Sequence, residues 1–117
     1  MCGRFTLTLD PGDLQDVLNF DISSVDLTPR YNIAPSQPVA AVRDGVSRKV
    51  ELFQWGLVPS WAKDVSIGYK MINARSETIS EKPSFRVPFS RRRCLIPADG
   101  FFERARGEDG KIPYYFY

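Results

Sequence analysis

Apolar and polar residues alternate over residues 3–9, with Phe5, Leu7 and Leu9 set against Arg4, Thr6 and Thr8. That period of two predicts a half-buried strand running directly out of Cys2. Asp10-Pro11 then supplies a helix start, an N-cap carboxylate followed by proline at the first helical position. Leu14, Val17 and Leu18 fall at i, i+3 and i+4, which predicts an apolar stripe packed on the core. Residues 21–38, which hold Pro29, Pro35 and Pro38, read as loop. Strands are expected over 39–43 and 48–55, joined by a turn at Asp44-Gly45. Residues 56–72 are long and irregular, and loops of that length in a compact domain usually carry function. A short helix over 83–92, interrupted by Pro88, leads into Arg91-Arg92-Arg93. Strands over 94–97 and 101–105, a turn over 107–110 and a last strand entering Tyr114-Tyr115-Phe116-Tyr117 complete the pattern. Trp55 ends a strand whose alternate positions are apolar and is assigned to the core. Cys94, in an apolar strand, is assigned the part of an inert core thiol. The sum is a β-rich α+β chain of one domain over residues 1–117.

A chain that stops inside an apolar aromatic strand presents an unprotected edge, which native proteins avoid. The sequence is therefore expected to be the N-terminal part of something longer, or a shortened member of its kind. Composition changes this picture little. With 43% hydrophobic and 26% charged residues the chain is of ordinary soluble globular type. No apolar run reaches membrane-spanning length, and the expected compartment is the cytoplasm or nucleoid. The net charge of +2 hides an asymmetry. Residues 1–29 carry Arg4 against five aspartates, while the remainder is basic and rich in arginine. Guanidinium forks suit phosphate. The run Arg91-Arg92-Arg93 is expected to be a solvated face.

The chain contains no histidine. That removes the commonest general base and the commonest metal ligand together, so neither a metal site nor a Ser-His-Asp triad is expected. Chemistry is expected instead at Cys2. Clipping Met1 would leave Cys2 as the N-terminus, with an α-amine of pKa about 7.7–8.0 beside a thiol of about 8.5. A 1,2-aminothiol condenses with an aldehyde to an imine, which the thiol closes to a five-membered thiazolidine. An aldehyde partner is therefore expected.

Five segments carry a resemblance: Met1-Cys2-Gly3-Arg4-Phe5, Arg30-Tyr31-Asn32-Ile33-Ala34-Pro35, Trp55-Gly56-Leu57-Val58-Pro59-Ser60-Trp61, Ile72-Asn73-Ala74-Arg75-Ser76-Glu77-Thr78, and Cys94-Leu95-Ile96-Pro97-Ala98-Asp99-Gly100-Phe101-Phe102-Glu103. In this order they resemble the SOS response-associated peptidase (SRAP) family, whose members shield abasic sites in single-stranded DNA by covalent attachment. The resemblance implies a twisted antiparallel sheet or open barrel with short flanking helices, of which this chain covers the N-terminal part. It also implies the aldehyde, the C1′ of a ring-opened abasic deoxyribose.

By the resemblance Cys2 forms the thiazolidine, Asn73 holds the sugar hydroxyl and Glu103 acts as general acid and base. Taken singly, Asn73 reads as a turn cap and Glu103 as the ion-pair partner of a nearby arginine. A pocket of Phe101, Phe102 and Trp61 is expected to desolvate Glu103. Arg4 and Arg75 look like phosphate clamps, Pro35 and Trp61 like an apolar edge against bases, and Glu77 like a carboxylate orienting Arg75. The implied partner is single-stranded DNA carrying abasic sites, bound by a monomer with no cofactor, metal or membrane. Two departures stand out: the family's catalytic histidine is absent, and Arg104 replaces the aromatic that commonly follows the motif glutamate. Two other functions stay open. One is a self-processing cysteine peptidase, and the other a non-catalytic fragment that binds single strands.

Overall fold

The computed structural model describes residues 2–45, 47–107 and 110–117. The processing of Met1 and the tip of the turn expected over 107–110 lie outside the described residues. Strands β1 (Arg4–Leu7), β2 (Arg30–Ile33), β3 (Pro38–Arg43), β4 (Val50–Gln54), β5 (Cys94–Leu95), β6 (Gly100–Gly107) and β7 (Gly110–Phe116) form two antiparallel sheets. One runs β2-β1-β6-β7 and the other β4-β3-β5. Helices α1 (Pro11–Leu18) and α2 (Arg86–Arg91) are short, and a 3-10 helix spans Val65–Lys70. The chain is thus β-rich with antiparallel pairing and short helices, as the pattern predicts, but its strands divide between two sheets. Among the described residues no helix is long and apolar enough to cross a membrane.

The alternation in β1 is realised: Phe5 and Leu7 are buried, with Leu14, Phe20, Ile33, Val39, Ala40, Val42 and Val50 completing the core. Each Val, Leu, Ile or Phe side chain among these contributes about 1.5–3 kcal/mol on burial. Every residue of this core lies in the first fifty. Trp55 packs against it, its ring centroid 5.4 Å from that of Phe5 at 59°. By contrast, Leu95, Phe101, Ile112, Tyr114 and Phe116 on the later strands are exposed.

Helix α1 starts as expected. The Asp10 side chain accepts from Gly12 N–H, Pro11 opens the helix, and Asn19 closes it in the left-handed region at φ 52°. Its apolar stripe is narrower than predicted, because only Leu14 is buried and Val17 is 79% exposed. Strand β2 falls inside the stretch expected to be loop. Of its four residues only Ile33 is buried, so no local alternation announces it, and its partner is the distant β1. Pro88 does not interrupt α2. It occupies the first turn, where an absent N–H costs nothing.

Cys94 corrects the core assignment. It lies exposed on the two-residue strand β5, although partial desolvation pushes its thiol above the ordinary value. Both cysteines are free. Arg91, Arg92 and Arg93 are exposed, and Arg93 pairs with Asp44 at 2.6 Å.

Strands β1 and β6 meet in the register Arg4↔Phe102, Phe5↔Phe101 and Thr6↔Gly100. Asp99 fixes this register from outside the ladder. Its carboxylate accepts from the Thr6 hydroxyl, the Thr8 N–H and hydroxyl, and the Leu9 N–H. Desolvation works to raise the Asp99 carboxyl. These four hydrogen bonds outweigh it and hold the pKa below 3.8. Thr6, a buried polar residue of the core, also lies 2.9 Å from the Tyr115 hydroxyl on β7. Gly100 makes room for that ring, since a Cβ there would stand 2.2 Å from the Tyr115 hydroxyl oxygen.

Candidate active site and nucleic-acid cleft

The irregular segment 56–72 is folded back on itself by two glycines. Gly56 sits at φ +132°, and a Cβ there would lie 2.5 Å from the Gly68 carbonyl oxygen. Leu57 N–H donates to the Met71 carbonyl at 3.0 Å, and the Trp55 indole N–H donates to the Ile72 carbonyl at 3.0 Å. The core ring that packs on Phe5 therefore also holds the end of the loop. The next residue is Asn73, and its amide Nδ2 donates to the Cys2 carbonyl at 2.8 Å. Two residues seventy-one positions apart are joined directly.

Cys2 is half-buried against the core, and its thiol donates to the Arg4 carbonyl at 3.3 Å. Arg4 follows on β1, and its Nη1 donates to Asn32 Oδ1 on β2 at 2.8 Å. Glu103 lies on β6, one residue beyond the Arg4↔Phe102 pair, and is half-buried. Gly3, Arg4 and Glu103 line an open cleft of about 870 Å³. Tyr31, Pro35 and Phe102 add apolar and aromatic surface, while Arg104 and Lys111 add charge. Among the described residues of the lining three cations thus face one carboxylate, a balance that suits a polyanion. Among the described residues no group of three or more cysteine, aspartate or glutamate side chains comes together to hold a metal ion.

The remaining predicted residues divide. Arg75 lies beside Asn73 in a second, smaller pocket. Glu77 is exposed, and among the described residues no hydrogen bond or ion pair joins it to Arg75. Trp61 stands on a turn closed by Ala62 N–H to Pro59 C=O at 3.0 Å, and is 59% exposed outside the cleft lining. Phe101 stacks on Phe116 at 5.2 Å, away from the lining. Of the three aromatics expected around Glu103, the cleft keeps Phe102 alone. The Asn73 amide spends one of its two N–H donors on the Cys2 carbonyl, which leaves the other N–H and Oδ1 for a further partner.

Sequence reasoning missed Tyr31, Asn32 and Lys111. The first two stand inside a motif named above, and an aromatic next to an amide within that motif is the available signal. Lys111 carried none, since only the pairing of β6 with β7 brings it to the cleft.

The sequence matches the description SOS response associated peptidase (SRAP) over residues 1–117. It is 50% identical over 109 residues to the abasic site processing protein YoqW of Bacillus subtilis, covering 91% of this chain and 49% of that one. Against the mouse abasic site processing protein HMCES it is 40% identical over 104 residues, covering 76% and 30%. A crystal structure of a protein from Bacteroides thetaiotaomicron superposes with a TM-score of 0.81 at 28% identity, covering 97% of this chain and 53% of that one. The chain spans about half the length of the Bacillus relative and of that solved structure. Matched from end to end by the family description and by a solved fold, the chain belongs to the SOS response associated peptidase (SRAP) family.

Proposed function

We propose that this chain recognises abasic sites in single-stranded DNA and captures them covalently through Cys2 once Met1 has been removed. The observation that carries the reading is the Asn73–Cys2 hydrogen bond, whose chain neighbours Ile72 and Gly3 line a cationic, aromatic cleft. The names of its relatives as abasic site processing proteins support it.

The freed α-amine of Cys2 attacks the C1′ aldehyde of the opened sugar, and loss of one water gives an imine. The thiol then adds across the C=N bond. Sulfur bonds to C1′, the thiol proton passes to nitrogen, and a thiazolidine closes without oxidant or reductant. Glu103, at the cleft wall, moves the protons of ring opening and dehydration. Asn73 holds the Cys2 carbonyl and so fixes the backbone that carries amine and thiol, next to Gly3 and Arg4 of the cleft. Arg4, Arg104 and Lys111 meet phosphates, and Tyr31, Phe102 and Pro35 offer faces to bases without regard to sequence. Trp61 and Arg75 extend this surface, and the protein works as a monomer beside the chromosome.

Intact mass spectrometry tests this with a single-stranded oligonucleotide carrying one abasic site. The expected product is a one-to-one adduct, stable to denaturation and absent from Cys2→Ala. An undiminished adduct in Cys2→Ala overturns the mechanism. Strand binding without an adduct in the parent leaves the chain a non-covalent binder.

A further inference from the structure

Pro35 reaches the cleft from a turn between β2 and β3. Gln37 N–H donates to the Ala34 carbonyl at 3.2 Å, which closes the turn with Pro35 and Ser36 at its centre. Ser36 sits at φ 71°, in the left-handed region that any residue other than glycine adopts at a cost. Proline followed by a positive φ is the pattern of a type II turn, whose favoured second central residue is glycine or asparagine. Serine is held there against its own preference, so its surroundings impose the shape.

Gln37 is the centre of those surroundings. Its side-chain Oε1 accepts from the Ala34 N–H at 3.1 Å and from Arg30 Nη2 at 2.6 Å. The other arm of the same guanidinium, Nη1, donates to the Pro38 carbonyl. Behind the turn, Ser36 N–H donates to the Trp55 carbonyl at 2.9 Å, and Trp55 N–H donates to the Gln37 carbonyl at 3.0 Å. Trp55 also packs on Phe5 and holds Ile72, the neighbour of Asn73. The Pro35 turn and the Asn73 loop are thus fastened to one residue of the core. Gln37 itself is exposed and stands outside the cleft lining.

We propose that Gln37 is a positioning residue for lesion discrimination. Through Arg30 and the Ala34 N–H it keeps the Pro35 turn rigid at the cleft, and that rigidity sets the preference for an abasic strand over an intact one. The inference rests on the single-strand reading above and deepens it. A rigid lip discriminates by exclusion. An intact nucleotide brings a base that has to displace the proline, whereas a nucleotide without a base needs no such displacement. A turn free to move would yield to both strands and tell them apart poorly. Holding it in place beforehand also spares the cost of ordering it on binding.

The test uses the Cys2→Ala chain, so that binding is read apart from capture, with matched single-stranded oligonucleotides that carry or lack one abasic site. The readout is the ratio of the two affinities. Gln37→Ala should lower this ratio about three- to tenfold, the scale of the hydrogen bonds it removes. Pro35→Ala should lower it similarly, and the double variant no further, since both act through one turn. Gln37→Glu keeps an acceptor for Arg30 and Ala34, and should hold the ratio even as its charge weakens both affinities together. Ser36→Val loosens the turn by a second route, because a β-branched residue resists a positive φ, and should also lower the ratio. Ser36→Gly suits that φ and should keep it. A parent-like ratio in Gln37→Ala and Ser36→Val overturns the inference and leaves the single-strand reading standing. Losses that add in the double variant overturn the action of Gln37 through Pro35. A parent with no preference for the lesion overturns the reading, and the inference with it.

Discussion

Asn73 Nδ2 donates to the Cys2 carbonyl oxygen at 2.8 Å, tying the end of a long loop to the start of the first strand. The bond falls on the residue whose amine and thiol are proposed to react, so it fixes the backbone that carries them. Asn73→Ala should lower stability by about 1 kcal/mol, the net value of one such hydrogen bond. It should slow adduct formation by roughly 10- to 100-fold, as misplacement of a reacting group does. Single-strand affinity should change less than threefold. An adduct rate within a factor of two of the parent would remove Asn73 from the positioning of Cys2.

The loop that delivers Asn73 depends on the close approach of Gly56 to Gly68. Gly56→Ala would set a Cβ against the Gly68 carbonyl and force an L residue into φ +132°. The expected cost is about 1–3 kcal/mol, read as a lower thermal midpoint. Gly3→Ala is the control, because its Cβ would meet nothing within 4 Å. Equal midpoints for the two variants would show that the loop does not need the contact.

What the sequence disclosed, and what it withheld, follow from the range of the interactions. Strand β1, the Asp10 cap and the β3–β4 hairpin are written in short-range alternation and turn chemistry, and they form. Strand β2 was not legible, because three of its four residues are not buried and its pairing is long-range. The same limit applies to the site. Motifs pointed to Cys2, Asn73 and Glu103 separately, but the Asn73–Cys2 contact needs the Gly56–Gly68 fold-back and the Trp55–Ile72 hydrogen bond. Cys94 was misread because an apolar strand sequence resembles a core strand whether or not anything covers it.

Asp99 makes stability depend on acid. Its carboxyl pKa is depressed in the fold, so its contribution is complete above the unfolded value of about 3.9 and is lost as pH falls through the folded value. Asp99→Asn should cost about 1–3 kcal/mol near neutrality, trimmed by solvent at a site that is only partly buried. Denaturant melts from pH 7 down to pH 3 should show the gap between parent and variant narrowing below about pH 4. A gap that widens as pH falls would mean the aspartate is not stabilised in its charged form.

Cys94 is exposed, yet its thiol is pushed up by partial desolvation, and thiolate is the reactive form. In a Cys2→Ala background, alkylation by iodoacetamide should be slow at pH 7. It should rise tenfold for each pH unit towards a midpoint above the ordinary thiol value of about 8.5. A midpoint below that value would reverse the assignment and make Cys94 a reactive thiol.

Glu103 offers the sharpest division between binding and chemistry. It lies at the cleft wall beside Phe102, on the strand paired with β1 and one residue beyond the Arg4↔Phe102 pair. Glu103→Gln keeps the shape and removes the proton-transfer function. Adduct formation should slow by about 100-fold or more, the usual scale of general acid–base catalysis. Strand affinity should hold or rise slightly, since one negative charge leaves a cationic cleft. Single-turnover rates at saturating oligonucleotide separate the two effects. A normal rate with altered affinity would make Glu103 an electrostatic neighbour of the strand, and the protons would then have to move through the Cys2 amine and solvent.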